Sequence, residues 1–486
     1  MRNSFSAQSR LDCEPIGNID LNLDCRDEIV PILAALQQIY ANAELRNQIL
    51  DLVGHDVNKD TSAERGREGM DYWHILVLAA VRLGCNFDYD RLQDLAENHR
   101  RLRHVMGIGD WQNDVTFNWR TIRNNICLVS VETISRISQL IVSEGHKLAP
   151  DAATKCRADS FVVETNIHYP TESSLILDGV RKVIELSVVL ATTLGLPGWR
   201  QSEYLLRKVN NLVREIGRVS RSKKPTSKEQ MRKLYRKLLK RAERILNCAE
   251  KTADQGANGP DANVVDIASL RIFIERTRQV AGTAYRRVIL GEVVPNEEKL
   301  FSIFEPHTQL YRRGKAATPN QFGRLVMIYE DAAGFVVHHY MLPRDATDAD
   351  VVVPQTRAVQ NLLANRINEM SFDRGFYTPE NEKELATIVT HPCLPKRDPK
   401  GYNEQQQTAS ITFRNARQRH PGIESAIGAL QHGNGMQRCR DRTEIGFERY
   451  LALAILGRNL HVLGKLLIQQ RAPDSLAAIS KRKLAA

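Results

Sequence analysis

Three carboxylates occupy positions where chemistry could be done: Asp159, Asp373 and Glu424, separated by 214 and 51 positions. Asp159 lies in KCRADSFVVETNIHYP, an alternating β-branched run that reads as a strand, with Asp159, Phe161 and Val163 on one face. Asp373 ends EMSFD, a short strand that turns at Gly375. Glu424 lies in RHPGIESAIGALQHG, where Ile423, Ile427 and Leu430 recur at helical spacing. Function in an α/β sheet collects where strands end. Three converging carboxylates repel one another unless a cation lies between them, and Mg²⁺ or Mn²⁺ suits hard oxygen ligands and a bridging phosphate. Two such ions, about 3.5–4 Å apart, can activate an attacking oxygen and stabilise a leaving one. Taken singly, each residue also has an ordinary role. A lone Asp in a strand usually marks an edge or turn. Asp373 can start a turn, and Glu424 can favour a helix dipole behind Pro421 at the first helical position.

The elements needed to hold these residues are legible in outline. Residues 1–28 are polar and irregular, a flexible arm. Residues 29–150 read as helical: Met70–Leu83, then one helix from Phe87 with a turn at Gly107, then a long periodic stretch from Val115. Helix, glycine turn, helix is compatible with a DNA reader of the helix-turn-helix kind and equally with a plain bundle, so the helices between Phe87 and Asn125 are candidates for sequence reading. The strand around Asp159 follows, in 151–174. Residues 175–299 return to helix, broken at Pro197–Gly198 and near Pro225. Strand and helix then alternate through 300–471. GRLVMIYEDAAGFVVHHYML reads as a hairpin, Pro354–Glu369 as a helix, ATIVTHP as a strand, CLPKRDPKGYNEQQQ as a polar loop, and Thr443–Gln470 as a long helix. Residues 472–486 read as a flexible tail. The expected architecture is a layered α/β core, a mixed sheet flanked by helices, with an all-helical domain in front and a helical insertion after the first strand.

Charge narrows the partner. The net charge is +11, and Arg200–Glu250 alone holds sixteen Lys and Arg against five Asp and Glu, so this one segment accounts for the whole excess. Such a concentrated stripe is the footprint of a polyanion binder, although a solvated helix face looks the same. Lys223, Lys224, Lys228, Arg232, Lys233 and Arg236 are the candidate phosphate contacts. Eight cysteines are scattered with no CxxC pair, which suits reduced thiols and neither a disulfide framework nor a zinc ribbon. The N-terminus has no apolar core of a secretory signal. The longest apolar run in its first part, Ile75–Val81, is far short of the roughly twenty residues a membrane span needs. A cytoplasmic, nucleoid-associated protein is therefore expected. His338 and His339 fall on opposite faces of a strand and suit no shared metal; Glu164, five residues after Asp159, faces away from it, and neither it nor His168 joins the set.

The blocks RADSFVVETNIHYPTESS, SIFEPHTQLYRRGK, SFDRGFYTPEN and RHPGIESAIGALQHG…RCRDRTEIGFERYLALAILGRNL resemble DDE transposases of bacterial insertion sequences, of the ISNCY type, in the same order from about residue 30 to 465. The resemblance implies an RNase H-like catalytic core whose first Asp is on the first strand, whose second Asp follows the fourth strand, and whose Glu is on a later helix. It assigns these roles to Asp159, Asp373 and Glu424 as catalytic and Mg²⁺- or Mn²⁺-binding residues. The hairpin would be the second and third strands. The implied activity is metal-dependent cleavage of double-stranded DNA at element ends and transfer of the 3′-hydroxyl into target DNA, by a homodimer in the active complex. Some relatives set an Arg four residues before the Glu and a Lys seven after it; here these are His420 and Gln431. Arg417, His420, Arg438 and Arg440 are then the candidate DNA contacts near the core, with Arg419 and Arg442 beside them. The competing readings are a non-catalytic DNA-binding derivative of a transposase and another RNase H-like DNA nuclease.

Overall fold

A computed structural model describes residues 11–23, 25–59, 69–258, 264–312 and 319–471. The tail 472–486 and the first ten residues of the expected arm lie outside these. The chain is mixed α/β and divides into two compact units: Met1–Glu164 with Arg324–Ala486, and Thr165–Gly323.

The first unit opens with α1 (Ile29–Ala41), α2 (Ala43–Asn58), α3 (Tyr72–Gly84), α4 (Tyr89–Asn98), α5 (Arg100–Val105), α6 (Trp119–Ile126) and α7 (Val131–Leu148). Two stretches with continuous apolar periodicity are split by caps. His99 is extended, and its Nδ1 accepts the Leu102 N–H at 3.1 Å, ending α4 and starting α5. Ser130 does the same between α6 and α7, its Oγ accepting the Thr133 N–H at 3.1 Å. A capping side chain satisfies donors that a continuous helix would have paired internally. The part of the expected arm that is described is not loose. Ile16, Ile19 and Leu21 are buried, and Gln37 Nε2 donates to the Ile19 carbonyl at 2.6 Å.

After β1 (Lys155–Thr165), the second unit holds α8 (Glu172–Thr193), α9 (Ser202–Ser220), α10 (Ser227–Ala257), α11 (Val264–Ala284) and β2 (Gln309–Tyr311). Its helices bury Val180, Val183, Leu238, Leu246 and Leu270 in one core. A Thr171–Ser174 capping box starts α8, and Trp199 Nε1 donates to Thr252 Oγ1 at 3.0 Å. This unit is larger than the insertion expected at 175–299. It starts where β1 ends and includes Gln321–Gly323, to which β2 pairs antiparallel.

The chain returns to the first unit through β3 (Gln321–Asp331), β4 (Val336–Met341), α12 (Asp348–Leu362), β5 (Glu369–Ser371), α13 (Pro379–Ile388), β6 (His391–Cys393), α14 (Pro399–Thr408), α15 (Ile411–Arg419), α16 (Gly422–His432), β7 (Arg438–Cys439) and α17 (Glu444–Arg471). In the sheet, β3 neighbours β1, β1 runs parallel to β5, and β5 runs parallel to β6. β4 returns antiparallel on β3, with a shift of register at Tyr329/Glu330, and β7 pairs with β1. The hairpin turns at Gly334, which has φ 93°. Two differences from the sequence expectation stand out. α12 starts six residues before Pro354, at a Thr347–Asp350 capping box, so the proline lies inside the helix. The expected polar loop after Cys393 contains α14, whose Asp398 carboxylate accepts from the Gly401 N–H at 2.5 Å behind Pro399.

The expected boundary at residue 150 does not separate compact units. α17, from the end of the chain, packs against α1, α3 and α7 from its beginning. The approach is close. A Cβ on Gly464 would lie 1.8 Å from the Pro31 carbonyl oxygen, and one on Gly457 2.6 Å from the Gly84 Cα. Among the described residues, Glu444–Gln470 is the single helix long and apolar enough to cross a bilayer, and 72% of its apolar window is buried inside the fold. A helix apolar all round is a core helix when its neighbours cover it.

Candidate carboxylate site

β1 and β5 pair at Lys155↔Glu369, Cys156↔Met370 and Arg157↔Ser371. That constant offset, carried two residues further, sets Asp159 level with Asp373 on neighbouring parallel strands. Asp373 is still extended, with φ −79° and ψ 166°, and the preceding Phe372 N–H is held by the Cys393 carbonyl at 3.0 Å. Adjacent strands lie about 4.8 Å apart, and side chains two residues on return to the same face. Asp159 is half-buried, and its Oδ1 accepts the Ser160 N–H at 2.7 Å; Asp373 is exposed.

The α15–α16 junction, which precedes the third carboxylate, packs against β1 and β5. Arg157 Nη1 donates to the Arg419 carbonyl at 3.1 Å. Its Nε donates to Glu330 Oε2 of β3 at 2.6 Å. A Cβ on Gly422 would meet Arg157 Nη1 at 2.1 Å, so a side chain there would displace the guanidinium that ties α16 to β1. His420 Nδ1 lies 3.1 Å from Ser371 Oγ on β5. The junction is thus pinned to both strands, at the residues two before each Asp. Glu424 follows in the first turn of α16, exposed, while Ile423, Ala426 and Leu430 bury the opposite side. Ile427 is only half-buried, so the stripe read from the sequence is shifted toward Ala426.

The basic residues near this face are not equivalent. His420 is 5% exposed. Burial pushes its imidazole down to about 4, Arg417 and Arg157 push the same way, and Asp373 opposes them. It is neutral at pH 7 and is a packing and hydrogen-bonding residue; the expected DNA contact at this position is not available. Arg419 pairs with Glu369 on β5. Arg438 pairs with Glu164 at 3.0 Å. Arg440 is spent on Asn86 Oδ1 at 2.8 Å, the Phe87 carbonyl at 3.2 Å and the Tyr450 hydroxyl at 3.3 Å. Arg417 differs from these: it is half-buried, and its Nη1 is out of solvent with no hydrogen-bond partner. The Arg417 distinction has no sequence signal, because the six arginines of the two arginine-rich stretches, 414–419 and 438–442, look alike.

The donor chemistry of Asp159, Asp373 and Glu424 fits a hard divalent cation. The spacing does not yet make a cage: among the described residues no three His, Cys, Asp or Glu side chains stand close enough together to hold a metal ion. His338 bonds Gln355 Oε1 at 2.9 Å and belongs to no such group. All eight cysteines are free thiols.

No protein-family model, no curated protein and no solved structure matches the chain.

In the second unit, Lys223, Lys224, Lys228, Arg232, Lys233 and Arg236 are all exposed. Lys233 is engaged by Glu229 at 2.8 Å, one turn earlier. A groove of about 380 Å³ runs between α9 and α10, where Lys208, Lys237, Lys240, Arg241 and Arg244 face Glu215. These five cations were within the basic segment but not among the residues singled out from sequence. Their convergence depends on the pairing of the two helices.

Proposed function

We propose that this protein is a DDE transposase with an RNase H-like core, cutting DNA at the ends of an insertion sequence and joining the 3′-hydroxyl to target DNA. The observation that carries the reading is the common register of Asp159 and Asp373 on neighbouring parallel strands, with the α15–α16 junction that precedes Glu424 packed on both strands. The order of elements supports it: β1 with the first Asp, the β3–β4 hairpin, α12, β5 followed by the second Asp, then the Glu on a helix. Asp159 and Asp373 are the residues that would hold Mg²⁺ or Mn²⁺, with Glu424, on the helix that starts beside them, as the third candidate. When bound, the ions supply activation of a water or hydroxyl and stabilisation of the departing oxygen. The chain's own part is to present two aspartates from neighbouring strands and to fix the start of α16 through Arg157 and His420. The exposed cations of α9 and α10 give the backbone grip that cleavage at a DNA end needs.

The test is cleavage of a labelled duplex carrying the element end by purified Asp159→Asn, Asp373→Asn and Glu424→Gln, with Mg²⁺ and with Mn²⁺. Each substitution is expected to abolish nicking while DNA binding persists. Wild-type cleavage by any one of them removes that residue from the site. Binding without metal-dependent nicking by the unaltered protein would instead favour a DNA-binding derivative, and nicking without strand transfer another nuclease.

A further inference from the structure

A second cavity, of about 710 Å³, lies in the first unit between the start of α4, α6 and the segment leading into α17. Pockets of this size take a small molecule or a cofactor-sized group. Its floor is a fixed ion pair. Arg82 is 1% exposed and grips Asp441 with both terminal nitrogens, at 3.0 and 2.5 Å, while lying 4.0 Å over the Tyr89 ring. The Tyr89 hydroxyl and Arg82 Nε are out of solvent with no hydrogen-bond partner.

Around this floor stand Arg123, Arg440, Arg442 and Arg449. None of the four has a carboxylate partner among the described residues. Of the three acids in the lining, Asp441 is used by Arg82, Asp88 caps α4, accepting from the Arg91 N–H at 2.8 Å, and Asp90 is exposed in the first turn of α4. Arg440 and Arg449 are oriented by neutral groups, Arg449 Nε by the Val129 carbonyl at 3.0 Å. Arg123 and Arg442 are exposed at the rim. Trp119, half-buried, forms a wall, and the flexible side chains of Arg120 and Arg123 lie 5.2 and 5.7 Å from its ring centroid. Unneutralised guanidinium groups favour phosphate, which they bind in a planar fork, and an indole face favours a flat aromatic ring. The two together describe one ligand.

We propose that this cavity binds a nucleotide unit, with its base against Trp119 and its phosphate against Arg123 and Arg442. The source is either a free nucleotide or an unpaired residue of a DNA strand. The cavity is lined by none of Asp159, Asp373 and Glu424 and does not depend on their chemistry.

Calorimetric titration of the full chain separates the outcomes, using deoxyadenosine monophosphate, inorganic phosphate and a ten-residue single-stranded oligonucleotide as probes. Saturable binding of the mononucleotide or the oligonucleotide is expected. Arg123→Gln with Arg442→Gln, and separately Trp119→Ala, should weaken it about tenfold or more, and Trp119→Phe should restore most of it. Comparable affinity for the mononucleotide and the oligonucleotide assigns the pocket to a free nucleotide. Binding of the oligonucleotide alone assigns it to DNA. Circular dichroism verifies that each variant is folded, and the exposed pair Arg123 and Arg442 can be changed without opening the core. No saturable binding of either nucleotide probe, affinity unchanged in the variants, or inorganic phosphate bound as tightly as the nucleotide would overturn the proposal. Asp159→Asn should leave all these affinities unaltered, so failure of the carboxylate reading and failure of this one are distinguishable.

Discussion

His420 Nδ1 stands 3.1 Å from Ser371 Oγ, tying the residue before α16 to the strand that ends in Asp373. The contact makes a buried neutral imidazole part of the frame of the carboxylate face, and it has a pH signature. The folded value of about 4 lies below the ordinary 6.5, mainly through burial. Between those values the unfolded chain holds the extra proton, so this contribution to stability is complete above about pH 6.5 and is lost as pH falls toward 4. The full loss is roughly 3 kcal/mol. Urea midpoints measured from pH 7.5 to 4.5 should fall less steeply in His420→Gln than in the unaltered protein; parallel curves would refute the assignment.

Arg157 joins three elements, reaching Glu330 on β3 and the Arg419 carbonyl from β1. Glu330 is 2% exposed, and its burial raises the carboxyl above its usual range despite the guanidinium. Arg157→Ala leaves that buried carboxylate with only the more distant Arg458, at 3.9 Å, and should cost about 1–3 kcal/mol, less than a buried pair left wholly unpaired. Arg157→Ala with Glu330→Leu should recover much of it in chemical denaturation. A double variant no more stable than the single one would mean the pair is not the source of the loss.

Arg417 and Arg419 are two residues apart and should behave differently. Arg419 is held by Glu369, whereas Arg417 keeps a buried Nη1 without a partner. Arg417→Gln is expected to weaken DNA binding and cleavage about tenfold, and Arg419→Gln to change DNA affinity little. Filter binding and nicking assays compare them directly, and equal effects would sink the distinction.

Lys223, Lys224 and Lys228 are exposed and have no carboxylate partner among the described residues. Replacing all three by Ala should lower DNA affinity on any sequence. It should also flatten the slope of log K against log salt by up to about 2.7, since each phosphate contact contributes about 0.9. An unchanged slope would remove these residues from the interface.

Gly464 lets α17 touch the backbone of α1. Ala there would collide with the Pro31 carbonyl, and overpacking of this kind costs about 1–3 kcal/mol. Thermal melts should show the loss for Gly464→Ala and none for Gly428→Ala, where the added methyl meets nothing within 4 Å.

Legibility of the sequence followed the strength of the local signal. β1 and the β3–β4 hairpin were readable because β-branched runs and a glycine turn specify strands locally. α14 was not, because its polar composition resembles a loop and only the Asp398–Pro399 cap betrays it. The breaks at His99 and Ser130 interrupt apolar periodicity that continues on both sides. Union of the first helices with the sheet was invisible, since it rests on α17 meeting α1 across more than four hundred residues. At the carboxylate face, the sequence offered three acids and their order. The shared register of Asp159 and Asp373 needed the strand pairing, and the neutrality of His420 needed its burial.

The division of the first unit into two chain segments has a consequence for biosynthesis. Helices α1, α3 and α7 leave the ribosome well before α17, the helix that covers them, which follows every other described element. The 159 residues of Thr165–Gly323 come between. At about 5–20 residues per second they take roughly 8–30 s to synthesise. The inserted unit can fold in that interval while the first segment waits with its apolar faces uncovered. A nascent chain stalled before residue 444 should therefore be held by chaperones and cut by protease within residues 29–150, while the inserted unit already resists digestion.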